Sequence, residues 1–177
     1  MAAERYRTLA GYNRWANNRL YAVAERLSPE QYTTDQGAFF GSVHGTLNHI
    51  LVADRIWMHR LTGTGDLPAS LDVILCDTFT DLRAARAAQD DRIIAFVAAL
   101  DEPALSRVLH YTNSSGANFA QRLDNVLDHF FNHQTHHRGQ AHALLTHFLG
   151  KDASPSLDLI AFQRENAVCS AANTPNT

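Results

Sequence analysis

One segment of the chain, residues 124–148, combines a strong helical apolar pattern with six histidines. Its apolar residues recur at the three- and four-residue steps of an amphipathic helix, so one face must be buried against other elements. With 100° of rotation per residue, His137 lies about 40° and His133 about 80° from the centre of the apolar stripe. His136 and His129 lie about 140° and 120° from it and are predicted to face solvent or a partner. The segment therefore predicts a buried helix with two inward histidines one turn apart.

These two inward histidines are the first indication of a metal site. A buried imidazole costs free energy unless its ring nitrogens are paired, and two imidazoles at an i, i+4 spacing can share one metal ion. A second helix, predicted over residues 42–61, has His49 inside its apolar arc and His44 and His59 on its polar face. Three neutral nitrogen ligands that leave positions open for water or substrate are typical of a catalytic rather than a closed structural site.

Each of these signals has a simpler explanation when it is taken alone. A single inward histidine is more often a core residue that is hydrogen-bonded to a neighbour. An i, i+4 pair can also arise by chance in a chain with ten histidines. The two signals together, each on the buried side of its own helix, favour one divalent ion held by His49, His133 and His137.

Gln134 is predicted to face the interior beside these histidines, about 20° from the centre of the apolar stripe. It follows His133, at the position where an H-E-x-x-H motif has its glutamate base. A glutamine can orient a ligand by hydrogen bonding but cannot accept a proton, so the sequence argues against a peptidase.

Asp54 is the other polar residue predicted near the site, because it lies at the centre of the apolar arc of the second helix. A buried carboxylate needs partners. One interpretation is that Asp54 accepts a hydrogen bond from the ring N–H of a metal ligand, or acts as a base near the metal. The interpretation that we favour is a structural hydrogen bond to the first helix, through one of three residues: Asn13, Arg14 or Asn17.

Two sequence patterns resemble the DinB/YfiT-like family of small bacterial helical metalloproteins. They are LNHILVADRIWMHRL at residues 47–61 and NHQTHHRGQ at residues 132–140. The segments YNRWANNRLYAVAERL and SPSLDLIAF resemble the first helix and the short final helix of that family, so the likeness covers residues 4–166. The resemblance implies a four-helix bundle, frequent homodimers and a zinc or nickel ion. It places the three metal ligands on the same residues, His49, His133 and His137.

The resemblance also bears on function, because family members with a known role mostly act on low-molecular-weight thiols. It implies a metal-dependent enzyme such as a thiol S-transferase, with a small-molecule substrate whose thiolate the metal holds. The alternatives are a non-catalytic metal-binding protein of the stress response and a metal-assisted hydrolase.

The remaining elements predict an all-α fold, a four-helix bundle with a long crossover connection over residues 62–76 and a short C-terminal helix near residues 156–166. The first helix is expected to end at Ser28 and Pro29. A third helix is predicted over residues 79–100. Arg86 and Gln89 of this helix are candidates for lining a pocket, but the interpretation that we favour places them at a solvated edge of the bundle. Residues 105–118 alternate in places and contain Ser-Ser-Gly, a pattern that is compatible with either a short hairpin or a loop.

Composition agrees with one globular domain over residues 1–169, followed by a flexible tail at residues 170–177. The net charge of −3, without a basic run, argues against nucleic-acid binding. The chain has no run of 18 apolar residues and its first residues lack a signal-peptide pattern, so we expect no membrane contact and a cytoplasmic location. Two cysteines, Cys76 and Cys169, are too few for a disulfide framework.

Overall fold

A computed structural model describes the backbone of residues 2–172 and the side chains of residues 2–167. This part of the chain is mainly helical, as predicted, with one small antiparallel sheet that makes it not purely helical. The elements in chain order are α1 (Ala2–Ala24), α2 (Pro29–Thr33), α3 (Val43–Thr62), α4 (Phe79–Ala98), α5 (Glu102–Leu105), β1 (Val108–Thr112), β2 (Asn118–Arg122), α6 (Leu123–Leu149), a 3-10 turn (Lys151–Ala153) and α7 (Leu159–Ala172). None of the described helices is long and apolar enough to cross a membrane.

Four long helices form the body of the protein. Helix α1 packs against α4 and α6, and α3 packs against the same two helices from the other side. Their apolar residues form two separate core clusters, one around Met58, Ile93 and Phe130 and the other around Leu47 and Leu145. The helices therefore pack around two apolar regions.

A layer of buried polar side chains lies between these two clusters along each long helix. On α3, for example, Asp54 follows Leu51 of one cluster and precedes Met58 of the other. Helix α4 has the same order, whereas α1 and α6 meet the two clusters in the reverse order, with their polar residues again between them. The members of this polar layer are Asn13, Asn17, Asp54, Arg86, Gln89, Asp90, Gln134 and Arg138.

The connection between α3 and α4 folds back along α3. Gly63, in the left-handed conformation with φ of 71°, ends α3 and turns the chain. Asn48 of α3 then holds the returning segment, because its Oδ1 accepts hydrogen bonds from the backbone N–H groups of Leu75 and Cys76 at 2.9 and 3.0 Å. As a result, the carbonyl of Leu71 comes to lie beside α3.

The boundaries of some elements differ from the prediction. Ser28 begins α2 rather than ending α1, because its Oγ accepts from the backbone N–H of Gln31 while the Gln31 side chain accepts from that of Ser28, a capping box. The hairpin pairs Val108 with Arg122 and Thr112 with Asn118. It therefore extends four residues beyond the range 105–118 considered from the sequence.

The final helix also differs, since it begins later and runs further than residues 156–166. Residues 170–172 of the expected tail are helical, and residues 173–177 lie outside the described part of the chain. The side chain of Cys169 lies outside it as well.

Candidate metal centre

The structure brings together the three histidines that the sequence singled out. His49 projects from α3, and His133 and His137 project from α6, which packs against α3. One ring nitrogen from each of the three lies within 4.8 Å of the other two. Among the residues with described side chains, no fourth histidine, cysteine, aspartate or glutamate joins this group. The cluster could hold a metal ion through three imidazoles.

The outer hydrogen bonds of two histidines decide which ring nitrogens face one another. His49 Nδ1 lies 2.8 Å from the carbonyl oxygen of Leu71, and His137 Nδ1 lies 2.7 Å from Oε1 of Gln140. Both partners accept hydrogen bonds, so each Nδ1 carries the proton and each Nε2 keeps its lone pair. The two Nε2 atoms lie 3.3 Å apart.

This arrangement fits a divalent cation. Two lone pairs that face one another at this distance repel unless a cation or a proton lies between them. Zinc–nitrogen bonds of about 2.0–2.1 Å in a tetrahedral site place two ligand nitrogens about 3.3–3.4 Å apart. The observed separation of 3.3 Å between the Nε2 atoms of His49 and His137 matches that spacing.

The protonation state of the three imidazoles also suits a metal. Burial lowers the pKa of His49 to about 4. Burial, together with the neighbouring His137 and His49, lowers that of His133 to about 3. Burial lowers the pKa of His137 as well, against the effect of its hydrogen bond to Gln140. All three rings are therefore neutral at pH 7, which is the form that binds a metal.

Phe40, in the segment before α3, covers one face of the site. Its ring stacks on the His49 imidazole with centroids 3.6 Å apart and an angle of 15° between the planes. The backbone of Phe40 passes very close to the first turn of α3, because a Cβ atom added at Gly45 would lie 2.1 Å from the Phe40 carbonyl oxygen. The position of Phe40 therefore depends on a glycine at residue 45.

We expect Gly45→Ala to disturb the site and Gly139→Ala, two residues after His137, to leave it intact. The alanine at residue 45 must push the Phe40 segment away, which we expect to cost about 1–3 kcal/mol in the free energy of unfolding and to weaken zinc binding. A Cβ atom at residue 139 meets nothing within 4 Å, and alanine there should stabilise α6 by about 0.5–1 kcal/mol. Denaturant unfolding and a zinc competition titration measure both effects; similar results for the two variants would contradict this role of Gly45.

Asp54 and Gln134 are buried and contact each other. The Gln134 side-chain amide donates to Asp54 Oδ1 at 2.8 Å, and Arg86 of α4 donates to Asp54 Oδ2 at 2.6 Å. Within the described part of the chain, the side-chain partners of Asp54 thus lie on α4 and α6, and the predicted hydrogen bond to α1 is wrong. Among the described residues, neither Asp54 nor Gln134 is hydrogen-bonded to the three histidines. Their hydrogen bond joins α6 to α3 within the polar layer, at the residue next to His133.

Arg86 and Gln89 are buried, so the prediction that they lie at a solvated edge is wrong. Arg86 is 2% exposed and forms ion pairs with Asp54 and with Asp90, one turn further along α4. Burial alone would lower the pKa of Arg86, but Asp90 and Asp54 raise it above its ordinary value. Burial raises the pKa of Asp54, with Arg86 and Gln134 opposing that shift. The arginine therefore remains charged between two carboxylates.

The Asn13 and Asn17 side chains complete this network from α1. Both amides donate to Asp90 Oδ1, at 2.9 and 3.0 Å. The sequence signal for the network was the acidic residue in an apolar arc, Asp54, because a buried carboxylate needs partners.

The other histidines lie outside the cluster. His136 is exposed and receives a contact from the Gln140 amide, and His129 is exposed beside the Trp57 ring. His44 and His59 are engaged with backbone carbonyls of the connection after α3.

Comparison with known proteins agrees with the resemblance seen in the two histidine-bearing segments. The model of the DinB family matches residues 1–167, which includes all the helices that carry the cluster. The chain belongs to the DinB family. A curated relative, Protein DinB of Bacillus subtilis (strain 168), is 25% identical to this DinB-family chain over 140 residues, which are 76% of this chain and 80% of the relative.

Proposed function

We propose that this DinB-family protein binds one divalent metal ion, zinc or nickel, through His49, His133 and His137. The observation that carries the proposal is the pair of Nε2 lone pairs of His49 and His137 facing each other at 3.3 Å, with both Nδ1 atoms turned outward to acceptors. We also propose that α1, α3, α4 and α6 form a four-helix bundle that supports the site.

We further propose that the site is catalytic and that the protein is a metal-dependent transferase acting on low-molecular-weight thiols. Three protein ligands leave at least one coordination position for a substrate. When bound, a divalent ion on three neutral imidazoles supplies Lewis acidity, which lowers the pKa of a coordinated thiol.

The surrounding residues favour thiol chemistry over hydrolysis. Gln134 cannot accept a proton, and the Asp54 carboxylate is occupied by Arg86 and Gln134. A reaction whose nucleophile is a thiolate has less need of a general base than one that must deprotonate water. Leu71 and Gln140 orient the His49 and His137 rings, and Phe40 excludes water from one face of His49.

We also propose that the protein forms a homodimer and is located in the cytoplasm. Exposed apolar side chains in the segments that contact His49 support a homodimer, since Phe39 is 82% and Leu67 59% exposed. The unpaired thiol of Cys76 agrees with a reducing, cytoplasmic location.

Cobalt substitution tests the proposed chemistry. The protein used is a Cys76→Ser/Cys169→Ser variant, so that its own thiols cannot bind the metal. Adding glutathione, bacillithiol or mycothiol should produce a sulfur-to-cobalt charge-transfer band, because thiolate is a better ligand than water for such metals. The band should be absent when His137→Ala is added to this variant and present when His136→Ala is added instead.

The outcomes separate the proposals. Cobalt binding without any response to thiols at millimolar concentration would overturn the S-transferase and favour a metal-assisted hydrolase or a non-catalytic metal-binding protein. Failure to bind cobalt at all would overturn the metal site itself.

A further inference from the structure

A cavity of about 550 Å³ opens between α3, the connection that follows it and the β1–β2 hairpin. Its size falls within the range of small-molecule binding sites. Ile56, Leu67, Pro68 and Leu71 give it an apolar wall, and Tyr111 of β1 lines the other side. An apolar wall of this kind suits the body of an organic ligand.

Arg60 places a positive charge in this cavity without an acidic partner. The guanidinium carbon lies 4.6 Å from the centre of the Trp57 ring and 5.1 Å from that of Tyr111, and the two ring centres are 5.2 Å apart, so the group contacts both rings of an aromatic pair. Among the residues with described side chains, Arg60 forms no ion pair and no hydrogen bond. By contrast, Arg55 on the same helix pairs with Asp66 at 3.1 Å.

No acidic side chain in the cavity wall neutralises the positive charge of Arg60. None of the lining residues is an aspartate or a glutamate. The other ionisable rings that line it are His59, His110 and Tyr111, and His59 Nδ1 is engaged with the Gly65 carbonyl at 2.9 Å. Arg60 is half-buried, and burial lowers the pKa of its guanidinium. One partly desolvated positive charge is therefore left for a ligand to neutralise.

We propose that this cavity binds small monocarboxylates with an apolar or aromatic body, and that Arg60 holds the carboxylate. A guanidinium held by aromatic rings keeps an N–H edge free, and two parallel N–H groups match the two oxygens of a carboxylate. The single positive charge favours a ligand with a single negative charge. The site borders the metal centre, because the Leu71 carbonyl contacts His49, but it does not require a metal.

The test compares two probes with the same body, 4-fluorophenylacetate and 4-fluorophenylacetamide, by fluorine NMR titration of the metal-free protein. The acid should bind about tenfold or more tightly than the amide, because only the acid forms charge-assisted hydrogen bonds with Arg60. Metal-free protein keeps this result independent of the metal proposal and prevents the probe from binding an ion. Equal binding of acid and amide, or no binding of either, would overturn the inference.

Variants then assign the effect to Arg60. Arg60→Gln should remove the preference for the acid, whereas Arg60→Lys should keep part of it. The matched control is Arg19→Gln, which removes an arginine stacked at 4.3 Å on the other tryptophan, Trp15, and should leave the preference unchanged. A preference that survives Arg60→Gln would contradict the assignment. Tighter binding of 4-fluorobenzylphosphonate than of the carboxylate would overturn the single-charge ligand class. The acid–amide comparison uses the unchanged protein, so it stands even if a variant does not fold.

Discussion

Replacing His137 by alanine should abolish stoichiometric zinc in the purified protein. The change removes one of the two Nε2 atoms that lie 3.3 Å apart and leaves only two protein ligands. Loss of a residue that merely supports a ligand costs about 10–100-fold in metal affinity, so loss of the ligand itself should cost about 100-fold or more. Elemental analysis gives the stoichiometry, and competition with a chromophoric chelator gives the affinity.

The neighbouring histidine supplies the control for this experiment. His136→Ala changes an exposed imidazole on the same helix and should retain the metal, as should His129→Ala. His49→Ala and His133→Ala should lose it like His137→Ala. Equal loss of zinc from His136→Ala would remove the assignment of the three ligands.

Replacing Arg86 by methionine should have the largest effect on stability. The change leaves the Asp54 and Asp90 carboxylates buried without their cation, and removing one partner of a buried ion pair costs about 3–5 kcal/mol. The loss should become smaller as the pH falls. Burial raises the pKa of Asp54, and Arg86, which opposes that shift, is absent from the variant. Protonation of the folded state at lower pH then relieves the penalty.

The control for Arg86 lies one turn earlier on the same helix. Arg83 pairs with Glu25 on the surface, where the two side chains are 49% and 58% exposed. Arg83→Met should therefore change the free energy of unfolding by only about 0–1 kcal/mol. Urea unfolding of both variants measures the difference, and similar losses would contradict a special role for the buried network.

The grouping of His49, His133 and His137 could be predicted from the sequence because helical periodicity indicates which side of a helix a residue occupies. His49 and His137 both fall on apolar arcs, and a packed pair of helices must turn such arcs toward each other. Gln140, which accepts from His137, could have been found in the same way, since residues three apart on a helix are neighbours. The contacts of Leu71 and Phe40 with His49 could not, because irregular segments supply both.

The ion pairs of the polar layer could be predicted from the sequence only in part. The position of Asp54 in an apolar arc predicted that it needs a partner, but the partner depends on which helix lies opposite. Arg86 and Gln89 interrupt an apolar seam, and a helical wheel does not distinguish a solvated edge from a buried polar layer. Only the packing of α4 against α3 shows that Arg86 lies between Asp54 of α3 and Asp90 of its own helix.

The measurement that tests the metal centre most directly is anomalous diffraction at the zinc edge from crystals of the zinc-loaded protein. We expect one ion bound to nitrogen atoms of His49, His133 and His137 at about 2.0–2.1 Å, with its remaining position free of protein ligands. His49 Nδ1 should still contact the Leu71 carbonyl. An ion bound elsewhere, or a fourth protein ligand that completes the tetrahedron, would contradict the open three-histidine site.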